Sequence, residues 1–586
     1  MILQRLVEYY DRLIQDPAQD VPTFGFGPQK IAFALVLERD GSLHSIDDLR
    51  LAEGKAPRPR QMDELPVKVG ERRTSATSAQ FLWDRPDYLL GWSSAETSQA
   101  KVSDRFEACR DLHLRLLEGS SSEIGKAVRK FYQSWQPEAV PARYLDLLAE
   151  VEKGFGVFVL RGTAGWAHEN AELRRLWQQH LEEGGIDTDK MICLITGEPS
   201  IPARLHDAIK GVQGAQSSGA SMVSFNLNAF VSRGQEQGAN APIGREASFK
   251  FSAALNRLLD REHGRRVRIG DATVVYWATQ PTEVSGMDLE SMFGWVVEGG
   301  HGEDEDRARH IGRVLEDLAA GRAEVPDDGT RFFVLGLSPN AARIAVRFWF
   351  DDSLSDVVRR ITRFQRELEI VRGPRDVGPI SIWRILRETG RETKDIPPLL
   401  AGSLTRAVLS GGRYPQALLN AVIRRIRADR RVSLARAATI KAFLVRNHDL
   451  EVPIMLDSDR PDPGYQLGRL FACLEKAQQD ALPGINATIK DRYFAAASAT
   501  PAAVFPRLLR SSQHHMRKLD GGFKVNAEKR VQNVMSRIES FPRVLGLEGQ
   551  GQFALGYYHQ RLDFFTKKSS TGDAASSSVD NEPTLQ

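Results

Sequence analysis

The spacing of apolar residues changes near position 353, and that change restricts the fold more than any other feature. Before it, strand-length apolar runs alternate with helix-period segments. IAFALVLERDGSL (31–43), ending in a turn at Asp40-Gly41, GFGVFVLRG (154–162), MICLITG (191–197), MVSFN (222–226), TVVYWATQ (273–280), RFFVLGLS (331–338) and RIAVRFWF (343–350) predict strands. The last two read as a hairpin turning at Pro339-Asn340. Residues 1–14, 101–150, 169–183 and 246–262 carry helical periodicity. After 353 strand signals vanish. Helix-period runs follow at 353–372, 380–390, 398–410, 415–430, 433–447, 465–481, 485–498, 501–510, 526–540 and 551–566. The expectation is an α+β chain: mixed α/β N-terminal and central regions followed by an all-helical C-terminal bundle.

At 586 residues the chain exceeds what one hydrophobic core organises. The expected divisions are 1–230 (α/β), 231–375 (central α/β), 376–454 (basic helical), 455–566 (C-terminal helical) and a disordered tail over 567–586. Residues 54–80, rich in Pro, Arg, Ser and Thr, read as one long loop, and such loops are functional or disordered; order returns with FLWDRPDYLLGW (81–92).

Cys109, Cys193 and Cys473 are too sparse for a disulfide framework or a metal site, which fits a reducing compartment. The first residues do not have the pattern of a secretory leader, and no run approaches the ~18 apolar residues of a membrane span. A soluble, cytoplasmic protein without membrane contact is expected.

Lys and Arg number 79 against 76 Asp and Glu, so the formal charge is only +3. The distribution is uneven. Residues 401–450 hold ten Lys and Arg against two Asp. Within them, Arg424, Arg427 and Arg431 are expected on one helix face with Arg425 beside them. A second cluster, over 490–530, includes Arg510, Arg517 and Lys518. A third comprises Arg359, Arg360, Arg363 and Arg366, interleaved with Glu367 and Glu369. Cations repeated along a surface bind phosphate by displacing condensed counterions. The alternative for the third cluster is a solvated face laced with carboxylates.

Catalytic signatures are missing. There is no P-loop, H-E-x-x-H or G-x-S-x-G pattern. GFGPQK (25–30) lacks the third glycine of a dinucleotide fingerprint and precedes a strand. His514-His515 point to different helix faces. Asp351-Asp352 could supply half of a metal site or cap the following helix. No cofactor and no metal are expected.

The blocks MILQRLVEYYDRL, IAFALVLERDGSLHSIDDLR, PRPRQM and FLWDRPDYLLG resemble the large subunit of the type I-C CRISPR interference (Cascade) complex. The blocks LHDAIKGVQGAQSSGASMVSFNLNAF, GQEQGANAPIGREASFKFSAALNRLL, YQLGRLFACLEKAQ and FALGYYHQRLDFF continue the likeness in the family's order along nearly the whole chain. The resemblance implies a non-enzymatic subunit that reads the protospacer-adjacent motif (PAM) on duplex DNA, helps open it, stabilises the R-loop and presents it to a helicase-nuclease. Implied partners are crRNA, target double-stranded DNA, the backbone and 5′-handle subunits, and a small subunit made from an internal start, for which Met455 is the candidate. The implied motif-reading loop is residues 70–80, with Arg72, Arg73, Thr74, Ser75, Ser78 and Gln80. Hydroxyls and an amide can bond base edges, and arginines can hold phosphates. The family often carries Asn and Lys in this stretch, so individual base contacts stay open. Arg58 and Arg60 would contact flanking phosphates. The loop-like block 234–242, with Gln237, Gly238, Asn240 and Pro242, either contacts nucleic acid or fixes a turn. Two rivals stand beside this reading: a metal-dependent nuclease using dispersed carboxylates such as Asp351 and Asp352, and a purely structural assembly subunit.

Overall fold

The structure, a computed structural model, describes residues 1–16, 19, 21–51, 57–68, 78–94, 99–183, 190–225, 227–236, 238–300, 305–373, 376 and 378–565. The expected tail over 567–586 lies outside them. The fold is α+β. The chain divides into two compact units. The first comprises Met1–Arg266, Val275–Gln280 and Val334–Phe350, and the second Val267–Val274, Pro281–Phe333 and Asp351–Gln586. The expected boundary at 230 falls inside the first unit, and those at 375 and 454 inside the second.

The first unit is built on the strand β1 (Phe26–Leu37). Its run IAFALVL is buried on both faces, as a continuous apolar strand requires. β2 (Leu43–Asp48) pairs antiparallel to it after the expected turn at Asp40-Gly41, and β3 (Arg60–Pro66) also pairs antiparallel. β4 (Trp83–Asp84) pairs with β5 (Phe155–Leu160), which runs parallel to β1 from Ile31↔Phe155 to Leu37↔Leu160. The predicted 54–80 loop therefore contains a strand. Its buried residues, Met62, Leu65 and Pro66, do not alternate with polar ones, so the strand shows no period of two. One face of the sheet buries Phe33, Leu35 and Leu37 with Phe106, Val128 and Phe131 of the helices Gln99–Leu116 and Glu123–Ser134. The other buries Ile31, Ala34, Met62, Leu65, Trp83 and Val157. The N-terminal helix Ile2–Leu13 lies against the helix Arg245–Leu259, with Tyr10 edge-on to Phe249.

Two predicted strands shrink or disappear. Only β6 (Met191–Ile192) survives from 191–197, paired with β7 (Pro199–Ser200). Cys193 Sγ accepts the Ile195 and Gly244 N–H groups, so the backbone turns there instead of extending. Residues 222–225 are irregular.

β8 (Arg266–Ile269), β9 (Ala272–Ala278), β10 (Glu283–Val284) and β11 (Met287–Asp288) follow, then β12 (Arg331–Asn340) and β13 (Arg343–Ser353). β10 and β11 pair with each other, and the other four form a sheet ordered β13-β12-β9-β8. The hairpin turns at Ala341-Ala342, not at Pro339-Asn340. Two-residue hairpin turns need positive φ, which proline cannot adopt; Ala341 takes φ 52°.

Beyond β13 the second unit is helical. The helices Leu354–Glu367, Ile382–Arg387, Pro398–Ser410, Gln416–Asp429, Leu434–His448, Pro463–Ala481, Ile489–Ala499, Pro501–Met516, Gly521–Met535 and Leu547–Asp563 match the predicted runs in order. The YQLGRLF and FALGYYH blocks pack directly on each other. A Cβ on Gly468 would collide with the Phe553 carbonyl, and one on Gly556 with the Tyr465 carbonyl. The glycines thus let the Pro463–Ala481 and Leu547–Asp563 backbones touch.

Candidate nucleic-acid interface

In the first unit the candidate loop is anchored at its base. Trp83 Nε1 donates to the Pro66 carbonyl at 2.6 Å, tying β4 to the end of β3. Lys68 Nζ donates to Ser78 Oγ at 3.1 Å. The Gln80 N–H bonds Asp84 Oδ2 at 2.9 Å. Leu82, at φ 66°, donates its N–H to His113 Nε2 at 2.9 Å. His113 Nδ1 lies 2.7 Å from the Cys109 carbonyl. Only a neutral imidazole carrying its proton on Nδ1 satisfies both contacts. Burial pushes the His113 pKa down to about 4, despite the backbone hydrogen bond that favours the charged form.

Of the residues expected to read DNA, Arg72, Arg73, Thr74 and Ser75 lie outside the described residues, as does Gln237. Ser78 is held by Lys68. The Gln80 side chain is half-buried and its Oε1 is enclosed without a hydrogen-bond partner among the described residues. Arg58 and Arg60 are exposed, with no partner for either guanidinium among the described residues. Their backbones are ordered: Arg58 bridges Leu51, and Arg60 opens β3 opposite Ile31. Asn240 donates to the Phe230 carbonyl at 2.6 Å, so that residue fixes a turn.

In the second unit the basic segment separates into two classes. Arg424 and Arg427 are exposed on the Gln416–Asp429 helix. Arg430 caps that helix in the left-handed conformation, φ 54°. Arg431 therefore lies past the helix end and does not share its face, although it too is exposed. None of these four side chains has a partner among the described residues. Arg425, by contrast, is ion-paired with Asp429. Arg436, 5% exposed, reaches Glu388 at 2.7 Å and Asp429 at 2.6 Å. Burial alone would raise the Asp429 carboxyl, yet the Arg436 and Arg425 contacts outweigh it and hold the group below its ordinary range. Arg446 is buried 2.8 Å from Glu367 and 4.2 Å from the centre of the Tyr414 ring, and Lys441 donates to the Glu367 carbonyl. Four of the ten cations are thus structural.

The Arg359–Arg366 face follows the carboxylate-laced reading. Arg359 pairs with Asp356, Arg360 with Asp352 and Arg363 with Glu367, leaving Arg366 exposed. Arg510, Arg517 and Lys518 are exposed at and beyond the Pro501–Met516 helix, without partners among the described residues. Nearby, Arg507 lies over Tyr493 and Arg530 over Phe564.

Asp351 is bound by Arg331 and Asp352 by Arg360, while Ser353 itself caps the following helix through the Asp356 N–H. No group of three or more His, Cys, Asp or Glu among the described residues could hold a metal. No helix among them is long and apolar enough to cross a membrane.

Sequence reading did not single out Trp295, Trp383, Arg387 and Arg391, which line one cavity with Arg425 and Arg436. The signal available was Arg384, Arg387 and Arg391 at helical spacing after Trp383.

No curated protein matches the sequence. A family model described as CRISPR-associated protein (Cas_Csd1) matches residues 6–565, nearly the full length. The chain belongs to that family and is a CRISPR-associated, Cascade-type protein.

Proposed function

We propose that this chain is the large subunit of a type I-C crRNA-guided surveillance complex, and that it reads the PAM of double-stranded DNA through residues 70–80. The guide supplies sequence specificity by base pairing, while the protein grips backbone and motif. The observation that carries the reading is the unpaired set Arg424, Arg427, Arg430 and Arg431 in a chain whose family is CRISPR-associated. Cations without internal acids are available to phosphate, and here they would hold the opened strands of the R-loop. Arg58 and Arg60 would contact phosphates beside the motif.

The proposal extends to crRNA, the backbone and 5′-handle subunits, and a helicase-nuclease as partners in the cytoplasm, with no catalysis by this chain. Engagement of Asp351 and Asp352 by arginines supports the last point. Met455, 65% exposed between the Leu434–His448 and Pro463–Ala481 helices, would begin the shorter small-subunit product. Expression of the native gene with a C-terminal tag should give a second, shorter band that Met455→Ala removes; a single band ends this part.

The main test is target binding by the assembled complex. Arg72→Ala with Arg73→Ala should weaken binding of PAM-bearing duplex without disturbing assembly. Unchanged binding would favour a purely structural subunit. Cleavage of labelled DNA by the purified chain with Mg²⁺ or Mn²⁺ would favour the nuclease.

A further inference from the structure

The second unit contains a cavity of about 580 Å³ to which no role has been given above. It falls within the ~300–1,000 Å³ typical of small-ligand sites and is far too small for a duplex. Five arginines and three carboxylates line it, together with the indoles of Trp295 and Trp383. At one side, Glu388 and Asp429 are held by Arg436, and Asp429 also by Arg425. At the rim Arg387 and Arg391 are exposed, with no partner among the described residues. Two buried donors, Trp295 Nε1 and Arg425 Nε, have no hydrogen-bond partner among the described residues. Buried donors are ordinarily satisfied, so their orphaning marks a place where a ligand or water completes the structure. Gly299 and Gly300 keep the wall open. A Cβ on Gly300 would press on Trp295 Nε1 at 3.0 Å, and one on Gly299, at φ 85°, would meet Ser381 Oγ at 2.8 Å.

Flat indoles beside unpaired guanidiniums suit a ligand with an aromatic ring and an anionic group. A nucleotide has both. An acidic peptide would use the arginines and leave the indole faces without a flat partner. We propose that the cavity captures one unpaired nucleotide of a single strand, its base against the tryptophans and its phosphate on Arg387 and Arg391. The choice of ligand class rests on the nucleic-acid reading above; the location of the site does not.

The test uses the full chain. Adenosine 5′-monophosphate is titrated by calorimetry, and a labelled oligo(dA) pentamer by anisotropy. Arg387→Ala with Arg391→Ala should weaken both about 10-fold or more, and Trp383→Ala by about the same through lost stacking. Trp383→Phe should retain most of the affinity, which separates stacking from misfolding. Arg309→Ala, at a guanidinium already paired with Glu305 and Asp306, should leave mononucleotide binding unchanged. Several results would overturn the proposal: no mononucleotide binding by the wild type, no effect of the rim pair, competition by inorganic phosphate as strong as that of the nucleotide, or tighter capture of an oligo-aspartate peptide. If the pentamer binds and the cavity variants are silent, only this inference fails. If no strand binds to any form, the nucleic-acid reading falls with it.

Discussion

Arg424 and Arg427 of the Gln416–Asp429 helix stand in solvent, whereas Arg436, Lys441 and Arg446 of the Leu434–His448 helix are all buried. The two helices are consecutive, and both belong to the stretch in which cations outnumber acids five to one. Their difference comes from where the neutralising groups originate. Glu388 and Glu367 approach the second helix from outside the segment; Arg446 and Glu367 are 79 positions apart. A cation with such a partner serves the fold. One without is available to a phosphate. Charge density along the sequence cannot tell the two apart, and burial beside an acid can.

The comparison can be broken most forcefully at Arg446. Arg446→Ala leaves the Glu367 carboxylate buried beside the Tyr414 hydroxyl, and should cost about 3–5 kcal/mol of unfolding free energy in urea. Replacing both partners with apolar residues of similar volume should recover most of that loss. A small effect of the single change would mean that the inward helix is no different from the outward one.

Buried neutral groups offer a second, smaller contrast with buried ion pairs. Burial pushes His113, His168, His206 and His559 down to about 4. The unfolded chain takes up these protons near pH 6.5, and the folded chain does so only near pH 4. Stability is therefore fully present above about pH 6.5 and is lost as pH falls toward 4. Between pH 7.5 and 5.5 each histidine should remove about 1 kcal/mol, read as falling urea midpoints. Midpoints that hold steady over this range would contradict the buried, neutral assignment.

The smallest stability effect is expected at the exposed pair. Arg424→Ala with Arg427→Ala should change unfolding free energy by no more than about 0.5 kcal/mol. It should also reduce the slope of log affinity for DNA against log salt by about two. A large loss of stability with an unchanged slope would reverse the two roles.

Much of the candidate site's surroundings was legible in the sequence, though not its details. FLWDRPDYLLGW announced an ordered segment, and Trp83, Asp84 and Leu82 do anchor it. His113 gave no signal, because its partner Leu82 lies 31 residues away and the contact depends on one ring nitrogen. β3 escaped notice because its buried residues, Met62, Leu65 and Pro66, do not alternate with polar ones. Gln80 read as a base-contacting amide, and the enclosure of its Oε1 without a partner among the described residues was not legible from its neighbours in sequence.

By itself the sequence determined the α+β class, the change to helices after 353 and the order of those helices. Apolar spacing is a local property, written over a few consecutive residues, and it is the same in the unfolded chain. The tertiary structure alone decided which arginines face solvent, which acids neutralise the others, and that Trp295, Trp383 and the 384–391 arginines share a cavity. Those outcomes depend on side chains brought together from distant positions. Ion pairing and desolvation act through space, so no local pattern records them.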